Sequence, residues 1–314
     1  MRKGEAIMEN TKKKGNDGAA SVHAIQSASD RLFDTINILI LIVLCLIIVY
    51  PLYYVVLASI TDPKVVHTGK LLLYPEAPYF KGYAEALAYP QLISGYTNTI
   101  WYTVLNAIVA LCCTIPAAYS LSRRDLVGRR GIMFLFTFTM FFNGGIIPMF
   151  LTIKNLKIYN TAWALVLPAA VSVYNLIVCR SFFESTLPQE LLEAAQIDGC
   201  NDFRFFFTMA IPLSKTIIAV MLLYYATAMW NTFFNALMFL QDESRMPLQV
   251  VLRNLVLSNQ LSMSASGAEF AEKQKLVDQL KYVIITVSAV PLMIVYPFVQ
   301  KYFASGVMLG AVKG

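Results

Sequence analysis

Few residues of this chain are placed to make or break bonds, and their arrangement points to docking instead. Glu190 and Glu193 stand in the run Ser185-Thr186-Leu187-Pro188-Gln189-Glu190-Leu191-Leu192-Glu193-Ala194-Ala195-Gln196-Ile197-Asp198-Gly199. Ala194 and Ala195 beside Glu193 let another protein's groove approach closely, with the carboxylate as a charged anchor. A second set is made of amides and aromatic rings within apolar stretches: Asn106, Asn143, Asn175, Tyr224, Tyr225, Trp230, Asn231 and Asn235. Such groups either meet a polar solute or bond one helix to another, the latter averaging under about 1 kcal/mol each. Taken singly, each reads as a bond between helices; for Trp230, Asn231 and Asn235 together, both readings stand. The five cysteines (Cys45, Cys112, Cys113, Cys179, Cys200) show no zinc-type CxxC spacing and read as structural filler. His23 and His67 are isolated in polar stretches, and neither is assigned a role.

The elements that position these residues follow from composition. Of 314 residues, 57% are hydrophobic and only 14% charged, with a mean hydropathy of +0.59. A soluble chain carries roughly 25% charged residues. The apolar surplus must face lipid, which excludes a soluble enzyme, a secreted disulfide scaffold and a disordered regulator. The net charge of +6 is too diffuse to indicate nucleic acid.

A membrane span needs roughly 20 predominantly apolar residues. Six stretches meet that length: Ile36–Ser59, Thr97–Leu121, Ile132–Leu151, Ala162–Cys179, Thr216–Leu240 and Tyr282–Gln300. Their prolines and glycines are compatible with helices, because packed neighbours satisfy the freed backbone groups. Residues 1–30 are polar, with Lys12, Lys13 and Lys14, and read as a flexible cytoplasmic tail without a signal peptide. Placing the N-terminus inside puts 15 of the 25 Lys and Arg residues on the cytoplasmic side, with the short Arg123-Arg124…Arg129-Arg130 loop weighing most. Both termini are then cytoplasmic. Tyr53, Tyr54, Trp101, Tyr102, Trp163 and Tyr282 mark span edges. The expectation is an all-α integral membrane protein with a six-span domain over 31–314.

None of the six stretches contains Asp, Glu, Lys, Arg or His. Ion-coupled transporters, proton pumps and voltage sensors place ionisable groups in the membrane because the mechanism needs them. Sodium coupling through carbonyls alone stays open. With that exception, the expectation is that any transport here draws its energy from outside the bilayer.

The segment 180–215 is the longest internal stretch expected in the cytoplasm. Thr186 and Gln189 match a capping box, Pro188 suits a first turn, and Gly199 ends the helix. A second short helix starts near Asn201 and ends by Pro212. On composition alone the first helix is equally an amphipathic helix resting on the membrane surface. The external segment 241–281 is polar and long, centred on Ser262, Ser264, Ser266 and Gly267, and reads as a binding-protein contact or a solvated linker.

Glu193-Ala194-Ala195, Gly199 and Ile211-Pro212-Leu213 at their fixed gaps resemble the EAA loop of ATP-binding-cassette (ABC) importer permeases. Phe142-Asn143-Gly144-Gly145-Ile146-Ile147-Pro148, Trp230-Asn231-Thr232-Phe233-Phe234-Asn235-Ala236-Leu237 and the terminal Gly306-Val307-Met308-Leu309-Gly310-Ala311-Val312-Lys313-Gly314 resemble its bacterial carbohydrate branch. Within that branch the likeness is to the maltose-type second permease and the lipoprotein-type sugar permeases. It covers most of the chain after about residue 30 and implies a type I ABC importer permease fold in the cytoplasmic membrane.

The resemblance also implies a division of labour. The chain has no cofactor of its own and lacks the GxxxxGK[ST] phosphate loop; ATP and Mg belong to a cytoplasmic ATPase dimer. A second permease, usually a different chain, completes the pathway, and an extracellular binding protein delivers a sugar. By the resemblance Glu193 pairs with the ATPase, Ala194 and Ala195 line the contact, Gly199 permits the turn, and Lys313 and Gly314 reach the ATPase. The candidates for the sugar pathway are Asn143, Tyr224, Trp230, Asn231 and Asn235. The alternatives are an ABC permease for another solute, an ion-coupled secondary transporter, and a membrane scaffold without transport.

Overall fold

A computed structural model describes residues 28–69, 73–261 and 268–311 of the chain. The described residues are helical apart from loops and one isolated bridge between Thr61 and Pro78. They divide into two units, Met1–Tyr54 and Val55–Gly314. The described part of the first unit belongs to helix α1, Ala28–Ile60. This helix is apolar on all sides and its side chains from Leu32 to Val49 are exposed, the signature of a surface that meets lipid or another chain.

The second unit is built around α2, Gln91–Ser122. Small residues let its neighbours come close: Gly95, Ala107, Ala110 and Ala118 are all buried. At Gly95 a Cβ would stand 3.0 Å from Val251 Cγ2 and 3.3 Å from Leu248 Cα, so no side chain fits without movement.

The six expected spans fall one to one on observed segments, but only α1, α2 and the last helix are continuous. The stretch Ile132–Leu151 is two helices, α3 (Arg129–Phe141) and α4 (Ile146–Asn155), at 115° to each other. The break lies at Asn143-Gly144-Gly145. Gly145 has φ +86° and ψ −177°, a conformation open to glycine alone, and Asn143 Oδ1 accepts its N–H at 2.9 Å. Ala162–Cys179 becomes α5 (Trp163–Ala169) and α6 (Val173–Thr186), bent by 47° at Ser172, whose Oγ accepts from Asn175 N–H.

After α6 come α7 (Gln189–Ile197) and α8 (Asp202–Phe205), a π-helical turn over Phe206–Ala210 and a short turn Ile211–Leu213. A 79° break at Ser214 leads into α9, Lys215–Trp230. The expected span Thr216–Leu240 therefore ends early; the chain turns at Asn231 and resumes as α10, Phe234–Phe239.

The segment 241–281 corrects the sequence reading most. It is no solvated linker: it carries α11, Leu248–Leu261, whose Leu248, Val250, Val251, Leu252 and Leu255 are buried. α11 packs on α2 and on α12, Ala268–Ala311. The approach to α11 is pinned to α2 as well. Asn98 Nδ2 donates to the Ser244 carbonyl (2.8 Å), Tyr102 Oη to the Arg245 carbonyl (2.8 Å), and Leu248 N–H to Thr99 Oγ1 (2.7 Å). Ser262, Ser264, Ser266 and Gly267 lie outside the described residues, as does nearly all of the 1–30 tail, since α1 already begins at Ala28.

α12 starts well before the expected Tyr282. Near its start Gln279 is fully buried, yet its amide is satisfied: Nε2 donates to the carbonyls of Ser59 (2.9 Å) and Tyr79, and Oε1 accepts from Gly82 N–H (2.7 Å). That one side chain ties three segments together.

Two of the buried clusters in the second unit bear on the site. One joins Ala110, Ala118 and Tyr119 of α2 to Leu176, Cys179 and Phe183 of α6, Ala195 of α7, Phe205 of α8, and Ile217 and Met221 of α9. The other gathers Tyr102, Ile153, Leu165, Val166, Met229, Phe239 and Val250.

Candidate functional site

The candidate site is the α7–α8 loop and the surface that carries it. α7 begins at Pro188, whose φ of −59° and ψ of 148° turn the chain out of α6. The expected capping box does not form. Thr186 belongs to the last turn of α6, and Gln189 Nε2 donates instead to Glu193 Oε1 at 2.9 Å. The helix ends as expected. Gly199 N–H bonds the Gln196 carbonyl (3.0 Å) and Cys200 N–H bonds the Ala195 carbonyl (2.9 Å), with Gly199 at φ +78°. This is a Schellman closure, and its left-handed position is why glycine stands there.

Which way α7 faces is set by its helical repeat. Glu190, Glu193, Ala194 and Ile197 follow i, i+3, i+4, i+7 spacing and are all exposed, Ile197 at 87%. Leu191 and Leu192 are half-buried. Ala195, at 3% exposure, lies in the chain's own core, so it supports α7 from behind; only Ala194 is offered outward. Ile197 was missed in the sequence, although the same spacing points to it.

Beyond Gly199, Asn201 caps α8 by accepting from Arg204 N–H at 2.8 Å. Phe205 and Phe206 turn into the core, while Phe203 and Phe207 are exposed.

Four arginines and their partners form the floor beneath α7. Arg123, at 11% side-chain exposure, donates to Asp125 through Nε (2.9 Å) and Nη2 (2.5 Å), and through Nη1 to Asp202 Oδ1 (3.0 Å) and Tyr119 Oη (3.1 Å). Those bonds hold the Asp125 carboxyl below the usual carboxylate range and push the Arg123 guanidinium further above its own. Arg180 donates to the Leu121 carbonyl (3.0 Å) and Arg129 to that of Ser122 (3.2 Å), so the last carbonyls of α2 are capped by cations. Both arginines also pair with Glu184. A cavity of about 670 Å³ is lined by both this floor and α7, with Arg124, Arg129, Glu190 and Glu193 among its lining residues.

The expected pathway residues separate into two groups. Asn143, Tyr224, Asn231 and Asn235 are exposed. Trp230 is 5% exposed and its indole N–H donates to the Ser288 carbonyl at 3.2 Å, so it fastens α9 to α12 and offers no free face to a solute. Asn231 Nδ2 donates to its own helix at the Thr227 carbonyl (2.9 Å). No hydrogen bond joins these five residues to one another among the described residues. Tyr225, by contrast, crosses the interior: its hydroxyl bonds Thr114 Oγ1 (2.7 Å) and accepts Ser172 N–H (3.1 Å), tying α9 to α2 and to the α5–α6 break. Lys313 and Gly314 lie outside the described residues.

The family described as binding-protein-dependent transport system inner membrane component matches residues 92–309. The chain is 38% identical over 290 residues to the polygalacturonan/rhamnogalacturonan transport system permease protein YtcP of Bacillus subtilis, covering 91% of this chain and 99% of that one. It is 35% identical over 296 residues to Protein LplC of the same organism, covering 94% and 100%. Among solved structures it is similar to a chain of a bacterial ABC transporter involved in the import of the acidic polysaccharide alginate, with a TM-score of 0.74, 34% identity and coverage of 88% and 98%. The chain belongs to the binding-protein-dependent transport system inner membrane component family: it is a multi-pass membrane permease subunit of an ABC importer, with the ATPase on a separate subunit.

Proposed function

We propose that this subunit imports a sugar or oligosaccharide across a bacterial cytoplasmic membrane, with both termini inside and α7 as the coupling helix seated in a partner ATPase. The observation that carries the reading is the outward stripe Glu190, Glu193, Ala194 and Ile197, held rigidly by a Schellman closure and a buried Ala195. A charged anchor beside a small residue suits a close-fitting groove. The saccharide cargo is supported by the relatives, named for polygalacturonan/rhamnogalacturonan transport and for alginate import.

In this reading a second permease completes the pathway, two ATPase subunits bearing ATP and Mg power it, and an extracellular binding protein brings the sugar. Glu193 pairs with the ATPase, Ala194 lines the contact, Gly199 sets the turn, and Lys313 and Gly314 extend toward the ATPase dimer. Asn143, Tyr224, Asn231 and Asn235 are the residues offered to the solute pathway. ATP and the docked binding protein both shift the permease to its outward-open state, each by its differential affinity for that state. Hydrolysis resets it, and no residue of this chain performs that chemistry.

The test is purification of the tagged chain from its native membrane in mild detergent. Recovery of an ATPase and a second permease supports the reading; recovery of the chain alone in several detergents contradicts it. In the recovered complex, Glu193→Lys is expected to keep the chain in the membrane while ATP hydrolysis no longer drives uptake. Uptake at the wild-type rate removes the role given to Glu193.

A further inference from the structure

Besides the direct packing of Ala195 and the Pro188 joint to α6, two routes carry a push on α7 through α8 to the membrane helices. One follows the backbone: α7, α8, the π turn Phe206–Ala210, Ile211–Leu213, then α9. The other crosses space from α8 to the end of α2. The backbone route is interrupted twice, by a turn that departs from α-helical bonding and by the 79° break at Ser214. A lever with two joints transmits bending poorly.

The crossing route is built differently. Arg123, just beyond the last turn of α2, donates through Nη1 to Asp202 Oδ1 at the start of α8 (3.0 Å) and to Tyr119 Oη, while its Nε and Nη2 are held by Asp125. Its guanidinium carbon lies over the Tyr119 ring, 5.9 Å from the centroid. One turn earlier on α2, the Tyr119 ring meets Phe205 (6.5 Å) and Phe206 (5.0 Å) of the loop and Phe183 (5.8 Å) of α6. Apolar contact alone is non-directional and permits sliding. A charge-assisted hydrogen bond fixes direction as well as distance, and the one that crosses to α8, Arg123 Nη1 to Asp202 Oδ1, comes from a guanidinium oriented by its fork on Asp125. Gly199 closes α7 with two backbone bonds, and Asp202 follows three residues later, so Asp202 is the nearest charged side chain of α8 to α7 along the chain.

We infer that the Arg123–Asp202 pair, backed by Tyr119, is the clamp that passes coupling-helix movement into α2, the central helix of the unit. The inference rests on α7 being the ATPase-coupling helix. Arg123 is thus a positioning residue that acts through Asp202 and touches neither solute nor nucleotide. Asp202, being exposed at 64% in its side chain, can be changed without opening the core.

The experiment uses the full complex, with its ATPase, second permease and binding protein, reconstituted in vesicles. ATP-dependent uptake by the wild-type complex tests the coupling reading itself, independently of any variant. Asp202→Asn and Arg123→Gln are then compared for solute taken up per ATP hydrolysed and for the amount of ATPase that co-purifies. The clamp predicts that both variants retain the ATPase in full while uptake per ATP falls by about tenfold. Asp202→Glu, which keeps the charge, recovers most of that ratio. An unchanged ratio in Asp202→Asn, or a loss of ATPase binding that accounts for the whole defect, overturns the inference. If Arg123→Gln fails to assemble, Asp202→Asn decides alone.

Discussion

Gly199 shows how far a single residue can be read. Its φ of +78° is demanded by the closure of α7, and a Cβ there would meet nothing within 4 Å, so the only obstacle to a side chain is the backbone angle. Gly199→Val is therefore expected to cost about 1–2 kcal/mol, the cost of a left-handed L-residue, and to lower recovery of the ATPase with the tagged chain. Unchanged recovery removes the need for this turn. Ala195 is the counterexample: the sequence places it beside Ala194 as a second contact, yet the helical repeat turns it inward. Spacing tells which residues share a face; it does not tell which face the rest of the chain will cover. Asp125 adds a pH dependence. Its carboxyl is held low by Arg123, so the pair is present above the ordinary 3.8 and is lost as pH falls through the lower folded value. Asp125→Asn should be less stable than the parent at neutral pH in a thermal unfolding series, the two curves converging below pH 3.8; a gap that persists in acid contradicts the assignment.

At the scale of elements, hydropathy located the six candidate spans among the described residues and hid how three of them break. A window sums composition, whereas the α3–α4 break depends on one glycine at φ +86° and one amide that accepts its N–H. Gly145→Ala is expected to cost about 1–3 kcal/mol, because an L-residue does not reach that conformation unstrained. The measurement is the midpoint of thermal inactivation in detergent, and an unchanged midpoint would mean that the break tolerates another geometry. α11 was hidden for the opposite reason. Its Gln249, Arg253, Asn254 and Asn259 dilute the apolar count, so a segment with five buried aliphatic residues reads as polar. Gln279 likewise reads as a solvated amide, and only the fold shows three buried backbone groups waiting for it.

At the scale of the molecule, three observations converge on an assembly part. The apolar surfaces of α1, α3 and α4 are exposed over most of their length, α7 projects an acidic stripe, and an ordered arginine floor stands behind it. The family was legible because its loop pattern, Glu193-Ala194-Ala195 with Gly199 and Ile211-Pro212-Leu213, is position-specific and written linearly. What the chain carries was not, because the exposed amides Asn143, Asn231 and Asn235 form no shared cluster from which a solute's shape could be read. The most direct measurement is uptake of labelled oligosaccharide into vesicles holding the complete complex, with ATP supplied on the ATPase side and ion gradients collapsed by ionophores. ATP-dependent accumulation that survives ionophores and requires the binding protein is the predicted result; accumulation that follows an ion gradient and ignores ATP would contradict it.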